Sequence, residues 1–101
     1  MKLATEPNTC MYGIFSALET AWSHLRHAVL LLPQDELQCR LLFHIDEAMC
    51  WESVHDISRM INAFLWIRHY LRQARVLGDW IEPMEDIEIL LHEIVHWRET
   101  R

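Results

Sequence analysis

Two short patterns in this chain carry residue types that could do chemistry. Near its end His92-Glu93-Ile94-Val95-His96 spells H-E-x-x-H. In zinc peptidases that spacing lets two imidazoles, one helical turn apart, reach one zinc ion while the glutamate takes a proton from the metal-bound water. Glu52-Ser53-Val54-His55 and Glu93-Ile94-Val95-His96 are also both Glu-x-x-His, the unit that supplies carboxylate and imidazole to di-iron helical bundles. His92, His96, Glu93, Glu52 and His55 are therefore the residues from which a zinc or di-iron site would be built.

Each metal reading lacks a part. A peptidase helix needs a third ligand downstream, and beyond His96 only Glu99 is available. On a helical wheel the apolar arc of this segment centres near Ile87 and Leu91, which leaves His92 and His96 beside Glu85 and Glu88, facing solvent or a neighbour. A di-iron bundle also needs an inward acid on each remaining helix, yet the stretch from Ile57 to Leu77 contains none and Glu19 sits at the edge of its apolar arc. His24 and His27, three apart, could add only a surface site. No Gly-rich phosphate loop and no ordered Ser-His-Asp set is present, so neither catalytic residues nor a metal or other cofactor is expected.

Composition narrows the remaining classes. A chain of 101 residues, 51% of them apolar, can bury one core but not a core plus a deep catalytic cleft. The net charge of −6 argues against a direct nucleic-acid surface, which needs clustered Lys and Arg. All basic residues except Lys2 are arginine, a bias that suits interfaces and also follows from a GC-rich genome. Cys10, Cys39 and Cys50 are odd in number and form no C-x-x-C pair, so reduced, buried thiols are expected rather than a disulfide framework or a four-cysteine zinc site. With neither a secretory h-region nor an apolar run long enough to span a membrane, a cytoplasmic location is the default expectation.

The elements that must position any site are helices. Only two Gly and three Pro interrupt the chain, and apolar residues recur every three or four positions. Met11, Ile14, Phe15, Leu18, Trp22, Leu25, Val29 and Leu32 form one stripe, predicting a helix from Asn8 or Thr9 to about Leu32, with residues 1–8 flexible before it. After Pro33, the pair Asp35 and Gln38 resembles a capping box that starts a second helix. Its main stripe is Leu37, Leu41, Ile45, Ala48 and Met49; Cys39, Phe43, Cys50 and Val54 make a second one on the opposite side.

Around Ser53 a new cap competes with a continuous apolar repeat, and a break capped by Ser53 is the preferred reading over one long central helix completed by dimerisation. A third helix carries Ile57, Met60, Ile61, Phe64, Ile67, Leu71 and Ala74 inward and is expected to stop at Gly78. The fourth starts near Pro83 and buries Met84, Ile87, Leu90, Leu91, Ile94 and Trp97. The expected architecture is all-α: one domain, 1–101, folded as a compact antiparallel bundle of three or four helices.

Two features point to partners. The third helix is basic through Arg59, Arg68, Arg72 and Arg75, while the chain from Asp79 onward is rich in acids, so these helices should pair charges at their rim. Five tryptophans are many for this length; Trp22 and Trp97 fit the core, whereas Trp66 and Trp80 lie off the main stripes. Trp66, Trp80, Arg68, Arg72 and Arg75 are the expected partner-binding residues. The second stripe of helix two, with the uncharged strip Ser16, Thr20 and Ser23 on helix one, is the expected homodimer interface. The chain reads as a non-enzymatic regulatory module that occludes a protein partner, such as a transcriptional regulator or an enzyme. A metal-binding bundle and a structural subunit of a larger helical assembly are the alternatives.

Overall fold

The computed structural model describes the backbone at 2–75, 78 and 80–99 and the side chains at 13–75, 78 and 80–96. The side-chain expectations for Cys10, Met11, Trp97 and Glu99, and the charge of Asp79, fall outside those residues. Four helices account for nearly all of the described chain: α1 Lys2–Leu30, α2 Glu36–Ser53, α3 Ile57–Ala74 and α4 Ile81–Glu99. The all-α bundle expected from the apolar spacing is what forms, with no strand among the described residues. α1 packs on α2 and on α4, α2 packs most extensively on α3, and α3 meets α4 only lightly. The result is a rod of 52 × 21 × 20 Å with one loose seam. Arg40 reaches Tyr70 and His44 lies against Trp66, so rising numbers on α2 meet falling numbers on α3.

The predicted stripes make the core. Leu18, Trp22, Leu25 and Val29 of α1, Leu41, Ile45 and Ala48 of α2, Met60, Ile67 and Leu71 of α3, and Ile87 and Ile94 of α4 are all completely buried. Leu37, Met49, Ile61 and Leu90 pack at its edge, half-buried. Ala74, expected inward, is exposed because the helix ends there. Trp22 meets Phe64 edge-on at 6.5 Å between ring centroids, and its indole Nε1 has no hydrogen-bond partner.

The helix ends depart from expectation in instructive ways. α1 begins at Lys2, not at Asn8 or Thr9, with Pro7 removing one backbone donor inside it. The capping box at α2 is half formed: the Asp35 carboxylate accepts from the Gln38 backbone N–H at 3.0 Å, but the Gln38 amide does not return the bond. Its Nε2 turns to the end of α1 instead and donates toward the carbonyls of Val29, Leu30 and Leu32 at 3.1–3.2 Å. The Val29 carbonyl also accepts from the Leu32 N–H at 3.0 Å, whereas those of Leu30 and Leu32 lie past the last helical donor, so one buried side chain closes the α1–α2 corner.

Between α2 and α3 the chain does break, but Ser53 is not the cap. Its hydroxyl donates to the Cys50 carbonyl, and Asp56 caps α3 by accepting from the Arg59 N–H. His55 takes a left-handed conformation, φ 58°, and donates to the Glu52 carbonyl while the Asp56 N–H returns to Trp51. This is a Schellman turn with histidine where glycine is usual. The His55 ring lies flat on Phe15, centroids 3.9 Å apart, a contact that offsets the left-handed cost. α3 likewise ends early, at a left-handed Arg75 whose N–H satisfies Arg72 and Leu71; Gly78 lies beyond the helix in the connector. Pro83 occupies the first turn of α4, which starts at Ile81.

Candidate partner-binding surface

Because α2 and α3 run antiparallel in close contact, residues one turn apart on each are brought to a single level along their shared seam. There the structure assembles an aromatic cluster that no single sequence pattern announces. The His44 ring lies nearly parallel to Trp66, 10° and 6.1 Å away, and to Tyr70 at 25° and 5.8 Å. Trp66 stacks on Tyr70 at 5.9 Å and meets His69 edge-on, while Phe43 sits edge-on to His44 at 5.3 Å. The Arg40 guanidinium lies 5.8 Å from the Tyr70 ring centroid, and the hydrogen bond to Tyr70 followed by that to Glu36 raises its pKa.

The cluster is only partly covered. Phe43 is 65% exposed and Trp66 46%, although both are large and apolar. Inside the seam His44 is half-buried and shares its Nδ1 with Glu47 at 3.2 Å. A stacked set of this kind is held rigid by its own ring contacts, so little side-chain freedom is lost when a partner covers it.

The sequence-derived sites separate on this framework. Phe43 and Trp66, assigned to a dimer face and a partner face respectively, belong to one patch. Cys39, Cys50 and Val54 continue the exposed outer face of α2 above and below Phe43, so these two thiols are exposed rather than buried as expected, because they lie on the side of α2 turned away from the core. Ser16, Thr20 and Ser23 are exposed on α1, where the Thr20 hydroxyl donates to the Ser16 carbonyl. The Arg26–Asp46 ion pair, 2.7 Å, ties α1 to α2. Trp80 is half-buried at the start of α4 and packs on the core, apart from Trp66. Arg68 leans toward α4, crosses the Phe64 ring and pairs with Glu88 at 3.5 Å, which realises in one bridge the expected charge pairing of α3 with α4. Arg72 and Arg75 are exposed.

For metal chemistry the donors are spread out. His92, Glu93 and His96 lie on the exposed side of α4, as the wheel predicts. His55 is committed to Phe15, and Glu52 is buried at the α1–α2 seam. Burial, then the nearby charge of Glu19, push the Glu52 carboxyl above its usual range, partly countered by His55. Among the described residues no group of three or more His, Cys, Asp or Glu side chains is placed to hold a metal ion. Among the described residues no helix is long and apolar enough to cross a membrane.

What fold and surface define together is an all-α four-helix bundle with an exposed aromatic seam. Comparison with protein-family models, with curated proteins and with solved structures gave no match.

Proposed function

We propose that this chain is a non-enzymatic interaction module that binds and occludes another protein through the α2–α3 aromatic seam, as a regulator or inhibitor does. The observation that supports this reading is the cluster of Phe43, His44, Trp66, His69 and Tyr70, whose outer rings remain in water despite their size. Exposed, preorganised aromatics flanked by arginine are the side chains that dominate affinity at protein interfaces. A transcriptional regulator or an enzyme surface suits such a patch, and the chain's acidity favours a partner with basic residues around its own apolar contact.

The test is comparative. Wild-type protein and the Trp66→Ala and Phe43→Ala variants are used as bait in extracts of the native cell, with circular dichroism as a check on folding. A protein retained by wild type and released by both folded variants supports the reading; equal retention by all three removes it.

A further inference from the structure

Among the described residues, the seam between α3 and α4 is the most thinly packed of those between neighbouring helices. An open groove of about 250 Å³ runs along it, lined chiefly by Ile61, Phe64, Leu65, Leu91 and Val95, with Arg68, Glu88 and His92 at its edges. Leu65 on one lip and Ile81 near the end of the other are 44% and 45% exposed. The lips carry opposite charge. Arg68 and Arg72 stand on the α3 side, Glu85 and Glu88 on the α4 side, and only Arg68 and Glu88 are bridged.

We infer that this face is covered by a second copy of the same chain, related by a two-fold axis running along the groove. Rotation about such an axis places α3 of each chain over α4 of the other, antiparallel and at the same level, so residues that face each other within a chain also face each other between chains. Each basic lip then meets an acidic lip, twice over by symmetry, and Leu65 of each copy enters the apolar groove. The outer face of α2 offers no such pair of opposed lips: its Asp46 is already bridged to Arg26, and Glu47 lies 3.2 Å from His44.

The available area is adequate. α3 spans 18 residues, roughly 27 Å at about 1.5 Å per residue, and the bundle is 21 Å wide. A face of that size buries on the order of 500 Å² per chain, near the ~1,000 Å² total that marks the lower bound of specific interfaces. The dimer is therefore expected to be reversible. It leaves the α2–α3 aromatic seam uncovered, so it stands independently of the partner-binding reading.

Sedimentation equilibrium of the full chain between micromolar and millimolar concentration, at low and high salt, provides the test. The inference expects a monomer–dimer equilibrium that weakens with salt. Arg72→Glu and Glu85→Arg should each raise the dissociation constant about tenfold, and the double variant should recover most of that loss because the pair is merely exchanged. Leu65→Glu should give monomer with an unchanged helical melt. A wild-type chain that stays monomeric throughout overturns the inference. So does a dimer that ignores these variants but dissociates with Phe43→Glu, which would put the twin on α2, or a monomer whose Leu65→Glu variant loses a different protein recovered from extracts.

Discussion

Gln38 shows how much depends on one side chain whose role the sequence names only in part. Asp35 and Gln38 are legible as a cap because the spacing is local, but the partners of the glutamine amide are the carbonyls that end α1, fixed only by how two helices meet. Gln38→Ala should cost about 1–2 kcal/mol, since the part-buried carbonyls of Leu30 and Leu32 lose this donor while Val29 keeps the Leu32 N–H, and Gln38→Glu should cost at least as much because a carboxylate repels them. Urea unfolding of both variants checks this. Glu52 is the second case: it looks like a metal ligand in sequence and is a buried acid in the fold. Its pKa is raised in the folded state, chiefly by burial, so the folded protein binds more protons than the unfolded chain. Stability should therefore fall as pH rises from the ordinary carboxylate range through the raised value. Glu52→Gln should be more stable than wild type at neutral pH, and the two should converge as the pH drops toward 4, which urea titrations at several pH values measure.

At the scale of elements, apolar stripes at helical spacing were legible because burial acts on every turn. The ends were less so, because capping rests on single backbone groups. The break after α2 illustrates this: the repeat passes from Val54 to Ile57 almost in phase, and the turn that interrupts it uses a left-handed histidine, which carries no compositional signal. The stacking of His55 on Phe15 depends on a contact 40 positions away in the chain and is invisible locally. His55→Gly should change stability by less than about 1 kcal/mol, as relief of the left-handed backbone offsets loss of the stack. His55→Val should be clearly worse, because a β-branched residue resists positive φ. Asp56→Ala should cost about 1 kcal/mol by removing the α3 cap. Thermal melts of the three variants rank them. The aromatic seam was half legible: Phe43 and Trp66 stand out as apolar residues off the main stripes, but only the pairing of α2 with α3 makes them one surface.

For the whole molecule, the tryptophans divide by burial. Trp22→Ala should cost about 3–5 kcal/mol because a fully enclosed ring leaves a cavity, whereas Trp66→Ala should shift the unfolding midpoint little. Trp80→Ala should fall between them, since its ring packs on the core from the edge. The uneven contacts among helices also set the order in which the rod assembles. α2 and α3 are neighbours in sequence, joined by a turn of three residues, and share the most extensive contact in the bundle; α1 reaches α4 only after the chain between Leu30 and Ile81 has been looped out. Loop-closure entropy disfavours that second step in the transition state, while the α2–α3 hairpin escapes it. A conservative truncation in the hairpin, Ile67→Val, should therefore appear mainly as slower refolding, and one in the late pair, Ile87→Val, mainly as faster unfolding, in stopped-flow experiments on both limbs. The loose α3–α4 seam then has a kinetic meaning: α4 can leave the native bundle by giving up its contact with α1 and little else beyond the Arg68–Glu88 bridge, and its backbone amides should exchange with solvent deuterium sooner than those of the hairpin.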